Sequence, residues 1–447
     1  AIDSDWNNAK NWDCDLIPSF INNAVINNVI TTYPILNSGN EGNTKNLTIS
    51  NGSSLTITNN TLNISGNITN SGTLDARNAS IGLLGNSSQT IPANTFLNNR
   101  IKDLIVNNSS GVILNGSLEI TGYLLAKNGD LNISNNVTLI SDASQTALID
   151  GSGNGNILGT VKLQRYLDTA LGYKYFSSPF NSSTVQDFSG YVDLTASFPQ
   201  VYSYNENNKS SNNEDISGWV SHTNPGASLS ALEGYAFNFG ASGTYTTVEL
   251  SGNVNNGSFS RQVSNNNGKY TQGFNLVGNP YPSPIDWNAS GWTKTNVDDA
   301  IYFFNATDQY TGTYSSFVNN VSNTGASTPG IIPSMQGFFI HVSDEGDPET
   351  KSVGTLGVNN TVRINDFSQS FYKTSEIAPK ELIRIVADIN GNSSQDAMAF
   401  YFDSFAQKGF DKDKDALKLM NIGANIPNIY SFDTKKNKLS IKALPEK

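Results

Sequence analysis

Between Asn46 and Ile140 the chain repeats a short pattern: two apolar residues stand two positions apart, and an Asn, Gly or Ser corner follows. The pattern is met by the pairs Leu47/Ile49, Leu55/Ile57, Leu62/Ile64, Leu104/Val106, Val112/Leu114, Leu118/Ile120, Leu131/Ile133 and Val137/Leu139. Alternate residues of a β-strand point to the same side, so each pair predicts a short strand with one buried face. The frequent corners leave no room for helices.

The pattern also recurs at a longer spacing. Corresponding apolar residues lie 21 positions apart in Leu47/Ile68, and 19 apart in Leu55/Leu74 and Val112/Leu131. Three short strands in about twenty residues are what each turn of a parallel β-helix needs, because its coils bury their inner residues by stacking. We therefore predict a parallel β-helix over residues 1–156, with Trp6 and Trp12 capping its first coil.

Residues 157–349 contain a duplication. Residues 172–179 align with 273–280, 201–205 with 301–305, and 232–237 with 335–340, at offsets of 101, 100 and 103. Three blocks in one order at nearly one offset predict two related β-sandwich-like modules, 157–256 and 257–349. Alternation in Phe237/Phe239 and Phe338/Ile340 predicts one buried face in each module.

Residues 350–447 form a third part, with alternating strands at 382–387 and 397–402 and a second hairpin near 428–432 and 439–441. This pattern predicts a C-terminal β-sandwich. The predicted fold class is thus all-β throughout: a parallel β-helix, two related β-sandwich-like modules and a C-terminal β-sandwich.

Charge and composition narrow the function. The net charge of −11 and the pI of about 4.7 argue against nucleic acid or an anionic membrane as partner, because both need a basic face. No apolar run reaches the length of about 18 residues that spans a bilayer. The single Cys14 excludes an internal disulfide framework.

Catalytic motifs are scarce. The two histidines, His222 and His341, have no readable partner, and the metalloprotease, nucleophile-elbow and phosphate-loop motifs are missing. Paired carboxylates could still serve a glycosidase on the β-helix, but acidic residues there are sparse. We expect no enzyme and no cofactor, and we keep a polysaccharide-degrading protein as the minority interpretation.

One segment could bind calcium. Asp388, Asn390, Asn392 and Asp396 offer oxygen ligands at alternate positions around a predicted turn. The spacing departs from the EF-hand pattern, because Ser393 stands where that pattern has Gly. A tight turn is the favoured interpretation, and the four residues remain the candidate calcium site.

Aromatic residues are concentrated in the duplicated modules, as Tyr202, Tyr204, Trp219, Tyr235, Tyr281, Trp287, Trp292, Tyr310 and Tyr314. Most are expected to fill cores, but exposed rings with polar neighbours can stack on sugars. Trp287 and Trp292, five apart beside Asp286 in a Pro-rich loop, are predicted to be the most exposed. They form the candidate ligand-binding face.

Several motifs together resemble a known class of protein. They are residues 6–12 followed by Pro18, residues 273–282, residues 336–339 and residues 410–418. They are similar to motifs of the large secreted, adhesin-like surface proteins of Bacteroidetes-type bacteria, which the type IX secretion system exports. The resemblance implies a secreted or cell-surface location and transient contact with that machinery. It also implies a C-terminal sorting domain, which would begin about where this chain ends.

The resemblance further implies O-glycosylation at Thr169, since residues 168–170 match the short acceptor motif. We predict a non-catalytic, rod-shaped extracellular surface or adhesin-like protein that binds through loops or by self-association, with glycans, other surface proteins or further copies of itself as partners. The alternatives are a carbohydrate-binding or polysaccharide-degrading protein and a subunit of an extracellular fibre.

Overall fold

The structure, a computed structural model, describes residues 1–29, 31–134, 137–208, 217–324, 330–343, 351–367, 380–389 and 394–446. The chain divides into two compact units. Unit 1 comprises Ala1–Arg165, Glu249–Asn256 and Arg363–Phe367. Unit 2 comprises Tyr166–Val248, Gly257–Val362 and Ser368–Lys447. The fold is all-β, as predicted.

Unit 1 is a parallel β-solenoid of about seven turns. Its strands are β1 (Ala24–Ile26), β2 (Ile35–Leu36), β3 (Gly42–Thr44), β4 (Leu47–Ile49), β5 (Ser54–Ile64), β6 (Ile68–Asn70), β7 (Thr73–Leu83), β8 (Gln89–Ile91), β9 (Arg100–Asn107), β10 (Val112–Leu114), β11 (Leu118–Ile120), β12 (Tyr123–Asn128), β13 (Leu131–Asn132), β14 (Val137–Leu139), β15 (Leu148–Ile149), β16 (Ile157–Leu158) and β17 (Val161–Leu167, whose residues from Tyr166 belong to unit 2).

The predicted spacings are the observed strand register. The three pairs Leu47↔Ile68, Leu55↔Leu74 and Val112↔Leu131 lie directly opposite each other in parallel strands. Their side chains are buried, so equivalent aliphatic residues of successive coils stack on each other and line the interior of the solenoid. The prediction of a parallel β-helix is confirmed at the level of individual residues.

The solenoid extends past the predicted boundary at residue 156. Strand β17 pairs in parallel with β14 and adds another coil, with Val161 opposite Val137 and Leu163 opposite Leu139. At the other end Trp6 is fully buried, and its ring meets that of Trp12 edge-on at 4.8 Å. The expected capping role of the two tryptophans therefore agrees with the structure.

Asparagine makes many of the corners. Among the described residues, eight of the fourteen non-glycine residues with positive φ are asparagines, including Asn59 and Asn94. Asparagine tolerates the left-handed region better than most residues, because its short amide side chain can bond to the nearby backbone.

Short 3-10 turns lie at Ala9–Asn11, Asp13–Asp15, Leu97–Asn99, Val185–Phe188 and Asn360–Val362. No helix in the described ranges is long and apolar enough to cross a membrane.

Unit 2 contains the remaining sheets. Their strands are β18 (Tyr173–Phe176), β19 (Val201–Tyr204), β20 (Trp219–Ser221), β21 (Tyr235–Asn238), β22 (Thr246–Gly252, whose residues from Glu249 belong to unit 1), β23 (Phe259–Asn265), β24 (Phe274–Gly278), β25 (Ile285–Asp286), β26 (Trp292–Thr295), β27 (Val297–Ala306), β28 (Gly312–Val318), β29 (Val321–Ser322), β30 (Ile331–Ile332), β31 (Gly337–Val342), β32 (Ser352–Val358), β33 (Leu382–Asp388), β34 (Gln395–Phe402), β35 (Ala416–Leu417), β36 (Ser431–Phe432) and β37 (Lys438–Leu444).

The duplication is visible in the sheets. Copy 1 has the strand order β18-β21-β19-β20, and copy 2 has the equivalent order β24-β31-β27-β28, extended by β29. Phe176↔Tyr235 in copy 1 corresponds to Val277↔Phe338 in copy 2. The backbone also matches, because Leu232 and Met335, at equivalent positions, both have positive φ. The two modules are therefore related as predicted.

The prediction of one buried face is wrong. Every residue of β21 and of β31 is buried, so the central strand of each copy is covered on both sides. In copy 2, Phe338 packs in one core with Trp287 and Leu356, while Phe339 lies in a second core with Ile441. The second core belongs to a distant part of the chain, which the alternation of apolar residues cannot reveal.

The C-terminal part is a sheet in the order β33-β34-β37-β35, with β36 beside β37. The predicted hairpins are present, since β33 pairs with β34 and β36 pairs with β37 in antiparallel fashion. This sheet packs on the outer face of copy 2, where Tyr401 and Ala443 share a core with Tyr302. The predicted boundary at 350 is misplaced, because β32 pairs with β23 and β26 of copy 2.

Candidate functional site

Four aromatic rings form a partly exposed group in unit 2, which we call the aromatic quartet: Tyr173, Phe198, Tyr202 and Tyr310. Tyr173 lies on β18, Tyr202 on β19, Phe198 just before β19, and Tyr310 in the turn between β27 and β28. Phe198 is 54% exposed and Tyr310 50% exposed, while Tyr173 and Tyr202 are half-buried. The duplicated modules therefore both contribute to one aromatic surface.

The quartet stands on a tightly packed aromatic layer. Tyr175, which points to the same side of β18 as Tyr173, lies 5.1 Å from Phe304 and 5.7 Å from Phe339, measured between ring centroids. Tyr204 lies 5.0 Å from Phe339. Because these rings are fixed by copy 2, the strands that carry the quartet have little freedom to move apart.

Hydroxyl and amide groups border the exposed rings. The Asn238 side chain and the Tyr202 hydroxyl lie close enough to the Tyr173 hydroxyl to influence its pKa. Burial raises the pKa of Tyr173 to about 12 and also raises the pKa of Tyr202. Both side chains therefore stay neutral at physiological pH, and the surface combines apolar rings with uncharged hydrogen-bonding groups.

Gly172 sets the approach of this surface to copy 2. It has a φ of +60°, and a Cβ at this position would lie 2.3 Å from the carbonyl oxygen of Asp308. Its equivalent Gly273 also has positive φ, at +79°. A side chain at Gly172 would push away the turn that carries Tyr310, so glycine is required for the quartet to assemble.

The candidate face built on Trp287, Trp292 and Asp286 needs correction. Trp287 is fully buried, and its indole N–H donates to the carbonyl oxygen of Asp299 at 2.9 Å. Trp292 is half-buried, with its N–H bonded to the carbonyl oxygen of Asp286 at 2.8 Å. The expected exposure of Trp287 is wrong, because the core of copy 2 encloses the ring. A ligand role for Trp292 and Asp286 stays a prediction.

The candidate calcium site lies partly outside the described residues, namely at Asn390 and Asn392. Asp388 is exposed and Asp396 is buried, and they point to opposite faces of the β33–β34 hairpin, because Asp396 pairs with Ala387. The Asp396 carboxylate already accepts bonds from the Lys418 ammonium, at 2.6 and 2.7 Å, and from the Ile429 N–H. Calcium binding there stays a prediction.

Neither histidine lies in a catalytic arrangement. His341 contacts the buried Asp298 through Nδ1 at 2.6 Å, and Ser343 donates to the other oxygen of the same carboxylate. The hydroxyl is thus bonded to the acid and not to the imidazole, which a nucleophile and its base would require. His222 lies in a loop with its ring 5.1 Å from that of Tyr235.

Acidic residues of the solenoid are engaged in local contacts. Asp75 forms an ion pair with Arg77 at 2.8 Å, and Glu119 forms one with Arg100. An open hollow of about 390 Å³ on unit 1 is lined by Phe20, Lys45, Ser65, Leu84 and Asn86, which include no carboxylate. Within the described ranges no group of three or more His, Cys, Asp or Glu residues has a metal-binding arrangement. The absence of catalysis stays a prediction.

Thr169 is exposed in the loop after β17. Its hydroxyl lies 3.4 Å from Asp168 and 3.5 Å from the Lys174 ammonium. The position is accessible to a modifying enzyme, and its glycosylation stays a prediction.

Sequence reasoning found half of the quartet. Tyr202 and Tyr310 stood among the aromatic residues singled out above, whereas Tyr173 and Phe198 did not. Tyr173 and Tyr310 lie 137 positions apart in the sequence, and only the packing of copy 1 on copy 2 brings their rings together. The exact register of the duplication was the one signal that could have aligned the strands.

These features define an all-β protein made of a parallel solenoid and a duplicated β-module with an aromatic surface. The chain belongs to the family described as Domain of unknown function (DUF8693), which matches residues 1–82 and 81–446. It is 24% identical over 392 residues to the minor fimbrium subunit Mfa5 of Porphyromonas gingivalis. That alignment covers 78% of this chain but only 29% of the relative. No solved structure matches the chain.

Proposed function

We propose that this protein is a non-catalytic, adhesin-like component of the bacterial cell surface and that the aromatic quartet is its binding site. The observation that carries the proposal is the exposure of Phe198 and Tyr310 above a rigid aromatic layer. Large exposed aromatic groups on a fixed frame are typical of binding surfaces, because they offer contact area at low entropic cost. The distant likeness to a minor fimbrium subunit supports a surface location.

The test is adhesion of the purified protein to whole bacterial cells and to cultured epithelial cells. The double variant Phe198→Ala/Tyr310→Ala should lose about tenfold in apparent affinity, because exposed aromatic anchors often dominate binding energy. Tyr245→Ala is the matched control, since Tyr245 is 67% exposed and lies outside the quartet. Equal adhesion of the double variant and the unmodified protein would refute the proposal. Release of sugars from a polysaccharide would instead favour the carbohydrate-active alternative.

A second candidate function is that of a subunit in an extracellular fibre. It is favoured by the name of the relative and by β33, which pairs only with β34 among the described strands. Ile383 and Val386 on β33 are 52% and 51% exposed, and an apolar strand at a sheet edge can pair with another chain. Light scattering and electron microscopy should then show ordered assemblies that Ile383→Lys abolishes. A monomer at all concentrations would exclude this function.

We also propose export through the type IX secretion system, supported by the motif resemblance at residues 273–282. Deleting that machinery in the producing bacterium should keep the full-length protein inside the cell. Unchanged surface exposure in the deletion strain would contradict this route.

A further inference from the structure

We propose that the aromatic quartet is a cage for an alkylammonium cation, either the side chain of a lysine or a quaternary ammonium group on a partner. The inference rests on the proposed function, because it names the ligand chemistry of the same site. Aromatic rings attract such cations through the negative faces of their π systems.

The four rings form a closed circuit. Going round it, the centroid distances are 6.1 Å for Tyr173–Tyr202, 6.5 Å for Tyr202–Phe198, 6.0 Å for Phe198–Tyr310 and 6.4 Å for Tyr310–Tyr173. For a near-square circuit with sides of this length, the centre lies about 4–5 Å from every centroid, inside the roughly 6 Å reach of a cation–π interaction. One small cation could therefore contact all four rings.

The rings are tilted against each other. The interplanar angles round the circuit lie between 52° and 86°. Sugars stack on flat ring faces, and a line of coplanar rings would suit a glycan chain. Mutually tilted rings instead surround a compact group, which is the arrangement that recognises methylated ammonium ligands.

The spacing of the quartet differs from that of its counterpart in copy 2. The quartet distances of 6.0–6.5 Å are the longer ones seen between neighbouring rings of unit 2, close to the 6.1 Å of the buried pair Tyr314–Phe339. In copy 2 the pair equivalent to Tyr173–Tyr202 is Phe274–Tyr302, which is buried at 5.3 Å. The same strand frame thus holds the two rings closer together where they form a core than where they are half exposed to solvent.

The charges nearby suit a cation. Asp308, an exposed acid, lies two residues from Tyr310. Lys174, the nearest base along β18, points to the opposite face of that strand and is buried beside Thr169. The net charge of −11 adds a long-range attraction for cations and repels anionic ligands.

The experiment compares ligands of equal shape by titration calorimetry and NMR on the intact chain. Choline and its neutral isostere 3,3-dimethyl-1-butanol differ in the charge, so a cation site should bind choline about tenfold more tightly. Nα-acetyl-lysine methylamide represents a lysine side chain, and choline represents a quaternary ammonium group. The compound that binds more tightly identifies the source of the cation. Equal binding of choline and the neutral isostere would overturn the proposal, as would preferential binding of maltose.

Two variants check the site. Tyr310→Ala should weaken choline binding at least several-fold, while Tyr310→Phe keeps the ring and should retain it. Tyr245→Ala should bind choline like the unmodified protein, and the same affinity in Tyr310→Ala would place the cation elsewhere and refute the cage. If adhesion depends on the quartet but choline and its isostere bind alike, the cage fails while the proposed function survives.

Discussion

Copy 1 and copy 2 of the duplicated module share one strand pairing but differ in what covers them. In copy 2, β28 is followed by β29, and the C-terminal sheet covers the side that carries Tyr302. In copy 1, β20 ends the sheet, and two of its three residues are exposed. The two copies keep the same strand pairing. Whether an aromatic residue at an equivalent position is buried or exposed is decided by the sheet that packs on it.

The largest effect is expected when the equivalent tyrosines Tyr302 and Tyr202 are each replaced by alanine. Tyr302→Ala should destabilise unit 2 by about 3–5 kcal/mol, because the ring is fully buried and its loss leaves a cavity. Tyr202→Ala, at the equivalent half-buried position, should cost about 1 kcal/mol. Urea unfolding followed by tryptophan fluorescence measures both, and equal losses would show that the two copies are covered alike.

A smaller effect is expected at the contact between copy 2 and its cover. The hydroxyls of Ser316 and Ser440 lie 2.7 Å apart and are buried, so Ser316→Ala should cost about 1–2 kcal/mol. The equivalent residue of copy 1 is Ser221, which is exposed, and Ser221→Ala should change stability by less than about 0.5 kcal/mol. The urea midpoints of the two variants measure the loss of stability. A larger loss for Ser221→Ala than for Ser316→Ala would contradict the conclusion that copy 2 is the copy covered by another sheet.

The effect that is smallest at neutral pH concerns the Tyr173 hydroxyl and appears only at alkaline pH. Burial raises the pKa of Tyr173 to about 12, so the folded state holds this proton more tightly than the unfolded state, whose pKa is about 10. The stability that Tyr173 contributes is present below pH 10 and is lost as the pH rises towards 12. Copy 2 carries Phe274 at this position, so Tyr173→Phe should flatten the fall in melting temperature between pH 10 and 12. An unchanged slope would contradict the shift, and the two proteins should behave alike at pH 8.

The solenoid could be predicted almost residue by residue, whereas the core of unit 2 could not. Leu55 and Leu74 are neighbours because each coil repeats the last, and a repeat is visible in one sequence. Phe339 and Ile441 are neighbours because a distant sheet closes over copy 2, and no local pattern records that contact. Periodicity therefore reveals contacts between successive coils and stays silent about contacts between remote sheets.

The candidate site was harder still. Trp287 stands among polar and proline residues, which suggested exposure, but the carbonyl of Asp299 satisfies its N–H inside the core. Phe198 precedes β19 in a segment without strand periodicity, so nothing marked it for a role. The duplication aligned β18 with β24, but the turn that supplies Tyr310 reaches the quartet only through tertiary packing.

In the solenoid, equivalent residues of successive coils lie opposite each other, so its length can change by whole coils. Because Val112 and Leu131 differ by one whole coil, removing or adding such a segment would move the ends of the stack by about 4.8 Å and rejoin equivalent neighbours. The number of coils in unit 1 can therefore change during evolution while the cross-section of the solenoid stays constant. Such a change would alter the length of unit 1 and keep the apolar pattern of its interior.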